Sequence, residues 1–239
     1  MSSWVTHLMI ADAVLNHFPG LNKHGFCVGN IAPDCNVENE DWSVFTPSRE
    51  VTHWMTGKRK KASDCDAFFE EYIIKRRDCI QSPEEYAFLL GYYAHLITDA
   101  AFQAMLRNEL RVKATWNRIM ADESLSVTGS NMEKTWDNVK KLIPKSVWMG
   151  QIYSMEAEYL DKHPESGYMT EILTLKTFPD YIDYLPEGAI VRKIGVMGYY
   201  PQVASGFDEY IAISREEYLT FVENTIRLVV IQFQDKGLL

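Results

Sequence analysis

Glu84-Glu85-Tyr86-Ala87-Phe88-Leu89-Leu90-Gly91-Tyr92-Tyr93-Ala94-His95-Leu96-Ile97-Thr98-Asp99 is the stretch on which the reading of this chain turns. Pro83 stands where a first-turn proline belongs, and the next proline comes only at Pro144. Phe88, Leu89, Tyr92, Tyr93, Leu96 and Ile97 recur in steps of three and four, which predicts a buried helix running from Glu84 to Leu110. His95 and Asp99 are spaced to lie on one face of that helix, a turn apart. An imidazole and a carboxylate in an apolar column must be paired, hydrogen-bonded or bound to metal, because burying either without a partner is costly. They are read here as metal ligands.

Working outward, Val5 to His17 shows one broad apolar face and is stopped by Pro19-Gly20. His7 lies in its first turn near Trp4; alone, such a histidine is more often a satisfied core residue than a ligand. Phe26 to Asp34 mixes the turn signals Gly29-Asn30 and Pro33-Asp34 with apolar Val28, Ile31 and Ala32. Two readings of Asp34 stay open at this point: a cap of the following turn, or a carboxylate on a rigid loop inserted into the core. Asn36 to Ser48 is polar and acidic, with Trp42 and Phe45 as anchors, and reads as a surface excursion near a site mouth. In Val51-Thr52-His53-Trp54-Met55, Thr52 or a nearby carbonyl could orient the His53 imidazole, as metal-bound histidines usually require, although a structural histidine is the default for this motif in isolation. Asp64 to Arg77 reads as an amphipathic helix with Phe68, Phe69, Tyr72 and Ile73 inward.

Beyond the central helix, Arg111 to Ile119 continues helical, Asp122 to Asn131 reads as loop, and Met132–Ile143 and Val147–His163 read as helices. Trp136, Trp148, Tyr153 and Tyr159 are expected to pack the core. Gly167 to Tyr200 is balanced between a helix over Pro186–Val196 and loop-rich covering structure. Ser214-Arg215-Glu216-Glu217 is a capping box that opens a final helix through Phe233. With no internal repeat, low-complexity tract or linker, the expected fold is all-α. A single helical domain spans residues 1–239, a multi-helix bundle around the central HxxxD helix.

A hydrophobic content of 46% supplies an ample core. The formal charge of −9 opposes broad binding to duplex nucleic acid or to an anionic membrane. A small anionic substrate remains compatible, since bound divalent cations reverse the sign inside a pocket. Lys58-Arg59-Lys60-Lys61 is read as a solvated loop ahead of a helix rather than as a phosphate-binding patch. The four cysteines form no CxxC pair, and Cys35, although it follows Asp34, is read as a buried structural thiol. The N-terminus lacks a basic region followed by an apolar run, and no apolar stretch approaches the about 20 residues of a membrane span. A cytoplasmic protein with no transmembrane segment is the expectation.

His7, Asp34, His53, His95 and Asp99 together supply three imidazoles and two carboxylates in the first hundred residues. That nitrogen–oxygen set suits Zn2+ or another first-row divalent ion and disfavours calcium. Five ligands exceed one tetrahedral site with an open position; they suffice for two ions if Asp99 bridges.

The order Trp4-Val5-Thr6-His7, Asn30-Ile31-Ala32-Pro33-Asp34, Thr52-His53 and Gly91-Tyr92-Tyr93-Ala94-His95-Leu96-Ile97-Thr98-Asp99 resembles the zinc-dependent phospholipase C family, whose architecture the single-strand-specific zinc nucleases share. The resemblance covers residues 4–103. It implies a mostly helical fold and a phosphoesterase that hydrolyses its substrate with metal-activated water. It further implies that Asp34, His53, His95 and Asp99 hold one ion and that His7 and Asp99 contribute to a second. Asp34 is also the candidate catalytic residue, helping to deprotonate the water. Two departures stand out. Secreted members use the amine of an N-terminal tryptophan as a ligand, whereas Met1-Ser2-Ser3 precedes Trp4 here. The family's further His/His/carboxylate group has no match, since His163 is the one histidine after Asp99. One or two zinc ions are therefore expected rather than three, with a small phosphodiester or phosphomonoester as substrate. The alternative is a degenerate member that binds metal or ligand without turnover, as a sensor or interaction module. A phosphohydrolase of the HD type would need a His-Asp doublet, which this chain lacks.

Overall fold

Pro83 does open the central helix. In the computed structural model, which describes residues 3–55, 63–201 and 210–239, the helix is preceded by Ser82, whose hydroxyl accepts from the Glu85 amide. The basic run Lys58 to Lys61 lies outside the described residues. In chain order the elements begin with α1 (Trp4–His17), α2 (Lys23–Gly29) and a tight 3-10 turn at Ala32–Asp34. A short antiparallel pair follows, β1 (Val37–Glu38) with β2 (Phe45–Thr46), then α3 (Arg49–Thr52). Next come α4 (Cys65–Phe68), which widens into π-type turns over Phe69–Ile74, and the long α5 (Pro83–Arg107). The α-helices that follow are α6 (Glu109–Ala121), α7 (Glu123–Gly129), α8 (Trp136–Leu142), α9 (Lys145–Lys162), α10 (Ala189–Met197) and α11 (Arg215–Asp235), with a π-type segment at Tyr168–Ile172 between α9 and α10. The fold is all-α: among the described residues the two-residue pair is the only sheet.

Three local expectations are corrected. The central helix ends at Arg107, because the Asn108 side chain accepts from the Arg111 amide and so caps a new helix, α6. Asp122 to Asn131 is helical over Glu123–Gly129; the Asp122 carboxylate takes the Ser124 and Leu125 amides and outweighs the serine-rich composition that reads as loop. Trp42 is 50% exposed at the hairpin tip, packed edge-on against Phe45, so it is no core anchor. The capping box at Ser214 forms as expected.

The core is organised by the crossing of α2 over α5. Every residue of α5 from Ala87 to Asp99 is buried. A Cβ on Gly29 would lie 2.1 Å from the Phe88 carbonyl oxygen, and one on Gly91 would lie 2.2 Å from that of Phe26. Only glycine permits so close an approach of two backbones. The far side of α5 is closed by α11, whose Phe233 packs against Phe18, Phe26 and Tyr93. The chain that leaves α2 at Asn30 is thereby held against the middle of α5, one turn from His95.

Candidate metal centre

His95 is fixed first. Its Nδ1 donates to the Asn30 carbonyl at 2.7 Å, and a carbonyl can only accept, so the neutral ring carries its proton there and turns the bare Nε2 inward. Burial and the neighbouring His7 hold the His95 pKa well below the ordinary imidazole value, which keeps the ring in its ligating form. His7, from the first turn of α1, stacks on His95 with centroids 3.8 Å apart and planes 2° from parallel. His53, at the C-terminal cap of α3, brings its Nε2 to 3.3 Å from His95 Nε2 and to 3.2 Å from Asp34 Oδ1. Its Nδ1 lies 2.9 Å from the Thr52 hydroxyl, which can in turn donate to the Arg49 carbonyl at 3.4 Å. In that arrangement the hydroxyl oxygen accepts the Nδ1 proton and leaves His53 Nε2 free to ligate.

All five residues singled out in the sequence are buried and meet in one place. Two overlapping groups have metal-binding geometry, His7/His95/Asp99 and Asp34/His53/His95, with donor atoms within 4.8 Å of one another in each. His95 belongs to both, yet its single inward lone pair can serve one ion only. Asp99 is the group suited to bridge: Oδ1 lies 3.6 Å from His7 Nε2, while Oδ2 lies 3.6 Å from His53 Nε2 and 4.0 Å from His95 Nε2. Burial works against ionisation of Asp34, but the His53 hydrogen bond, His95 and Arg49 hold its pKa well below the usual carboxylate range. Burial also works against ionisation of Asp99, whose pKa is nonetheless held well below the ordinary carboxylate value, with the His7 hydrogen bond, His95 and Arg49 among the groups that lower it. Two ionised carboxylates and a bare imidazole nitrogen are the donors that a borderline divalent cation takes, so the residues fit zinc. Cys35 stays outside: it is buried, its thiol donates to the Ile31 carbonyl at 3.3 Å, and burial raises its pKa well above the ordinary value. His163 is remote in character, half-buried and paired with Glu165.

Two residues at the site were not anticipated. Arg49 reaches over the cluster, donating from Nη2 to Asp99 Oδ2 at 2.7 Å and from Nη1 to Asp34 Oδ1 at 3.4 Å. A signal existed, since Arg49 precedes His53 by one helical turn. Glu156 of α9 is wholly buried against Ser3 and Thr6, next to His7. It too had a signal, a carboxylate in the run Tyr153-Ser154-Met155-Glu156-Ala157, where its inward face is apolar.

Among the described residues no helix is long and apolar enough to cross a membrane. No curated protein and no solved structure matches the chain. Residues 6–102, which carry all five residues of the cluster, match the family model for zinc dependent phospholipase C, the family to which the order of those residues in the chain had pointed.

Proposed function

We propose that this protein is a zinc-dependent phosphoesterase that hydrolyses a small phosphodiester or phosphomonoester. The observation that carries the reading is the convergence of His7, Asp34, His53, His95 and Asp99, from four separate segments, into one buried nitrogen–oxygen cluster. Asp34, His53 and His95 would hold one ion, His7 a second, and Asp99 both. When bound, such ions supply Lewis-acid neutralisation of the phosphoryl oxygens and make a water more acidic. Arg49, 31% exposed over the two carboxylates, is placed to donate to a phosphoryl oxygen once those carboxylates turn to an ion. Asp34 lines both the cluster and the adjoining cavity, and is the group placed to take a proton from water there. Its depressed pKa makes it a weak base, so holding the ion comes first. The unpaired cysteines support a reducing compartment such as the cytoplasm. The net charge of −9 supports a small-molecule substrate over duplex nucleic acid.

One observation favours a second reading, binding without turnover. Among the described residues the two overlapping groups are the only ones with metal-binding geometry, so the family's additional His/His/carboxylate set has no counterpart. Metal analysis of untagged protein separates the readings from a plain helical globule: close to two zinc ions per chain are expected, lost in His95→Ala and Asp99→Ala variants that stay folded. Chromogenic phosphodiesters and phosphomonoesters then test turnover. A wild-type chain with no affinity for added zinc abandons both readings; zinc without hydrolysis across the panel leaves the binding-only one.

A further inference from the structure

Next to the cluster lies a cavity of about 140 Å³, and Asp34 belongs to the walls of both. A cavity of roughly 150 Å³ accommodates one benzene-sized molecule, so this one takes a single compact group. Trp4, Met149, Tyr153 and Tyr168 supply much of its lining, and Lys145 stands exposed at its edge. Tyr153 therefore faces a cavity rather than serving core packing alone.

Besides Asp34 and the exposed Lys145, the charged group in this largely apolar lining is Glu156, with no solvent exposure. Its Oε1 is saturated: it accepts from the Ser3 hydroxyl, from the Thr6 amide at 3.2 Å and from the Thr6 hydroxyl at 2.5 Å. Its Oε2 has no hydrogen-bond partner among the described residues. A buried carboxylate oxygen left unmatched is a standing cost that a ligand donor would remove. Burial has also pushed the Glu156 carboxyl up to about 7, against the pull of the Ser3 and Thr6 donors. A group entering from the cluster side thus meets aromatic and thioether surface beside the buried Glu156 carboxyl. A trimethylated ammonium fits such a lining but has no hydrogen to give; a primary ammonium or a hydroxyl has.

We propose that this cavity receives the alcohol half of the phosphate ester, and that Glu156 selects compact alcohols bearing a hydrogen-bond donor, an ammonium N–H or a second hydroxyl, over those bearing none. The proposal rests on the phosphoesterase reading, which places the phosphate at the cluster. Calorimetric titration of the zinc-loaded full chain with inorganic phosphate, ethanolamine phosphate, glycerol phosphate and choline phosphate tests it. Ethanolamine phosphate is expected to bind about tenfold more tightly than choline phosphate, the effect of one charge-assisted hydrogen bond, with glycerol phosphate between them. In Glu156→Gln the amide nitrogen faces the ligand, so the ratio of ethanolamine phosphate to choline phosphate affinity should fall to near one. Equal affinities in the wild type, or an unaltered ratio in the folded variant, overturn the selection while phosphate binding stands. Should the variant not fold, the wild-type comparison decides by itself. Failure of inorganic phosphate to bind the zinc-loaded protein overturns the phosphoesterase reading and this proposal with it.

Discussion

Buried carboxylates in this protein behave in opposite ways according to their partners. Asp34 and Asp99 sit among His53, His7 and Arg49, and stay ionised. Glu156 has hydroxyl and amide donors on one oxygen only, and its pKa rises from 4.5 to about 7, chiefly through burial. The consequence for stability has a definite sign. A raised folded-state value means that folding favours the protonated acid, so Glu156 costs nothing below its unfolded value near 4.5. The cost grows as pH climbs from there through about 7 and is complete above it. At 1.36 kcal/mol per pH unit of displacement it reaches about 3 kcal/mol. Glu156→Gln keeps the acceptor for Ser3 and Thr6 and cannot ionise. In urea unfolding of metal-free protein it is expected to equal the wild type near pH 4.5 and to exceed it by up to about 3 kcal/mol at pH 8. A gap between the two proteins that does not change with pH would show that ionisation is not what costs the fold.

Among the elements, the contact of α2 with α5 matters most, because it delivers the Asn30 carbonyl to His95. That contact depends on glycine. A methyl at Gly91 would sit 2.2 Å from the Phe26 carbonyl oxygen and 3.1 Å from the Asn30 amide nitrogen, and neither is the tip of a flexible side chain. Gly91→Ala must push α2 off α5, with an expected loss of roughly 2–3 kcal/mol in chemical denaturation. Because Asn30 moves with α2, zinc affinity should fall as well. Gly195 in α10 is the control: a Cβ there meets nothing within 4 Å, so Gly195→Ala should be neutral or stabilising by about 0.5–1 kcal/mol. Equal effects at the two positions would remove the close approach as the reason for glycine at Gly91.

At the scale of the whole molecule, the back of the chain braces the front. Tyr184 lies outside the residues that match the family model, yet its hydroxyl accepts from Trp54 Nε1 at 3.1 Å and donates to Tyr92 at 2.7 Å. Tyr92 in turn donates to the Thr52 carbonyl at 2.5 Å. An indole can only donate and a carbonyl can only accept, so the direction of this relay is set by its ends. The relay spans Thr52 and Trp54 on either side of His53, and Trp54 is held at a left-handed φ of 52°. Tyr184→Phe breaks both bonds at the centre of the relay without altering shape. Its expected effect is a drop of about tenfold in zinc affinity, measured by competition with a chromophoric chelator, at nearly unchanged melting temperature. Wild-type affinity in that variant would reduce Tyr184 to packing.

The periodicity of α5 and the isolated polar residues on apolar faces were enough to predict an all-α fold and to single out His7, Asp34, His53, His95 and Asp99, since both rest on local spacing and on the cost of burying an unpartnered polar group. The breaks at Asn108 and Asp122 were also written locally, but as single capping side chains that compete poorly with composition when a segment is read as a whole. That Asp34 and Asp99 come together, that Arg49 reaches over them, that Glu156 lies against Thr6 and that Tyr184 braces Thr52 were decided by tertiary structure. Burial can be read from a periodic pattern. The identity of the buried partner cannot, because Thr6 and Glu156 meet across 150 residues of chain through the packing of helices that carry no local record of one another.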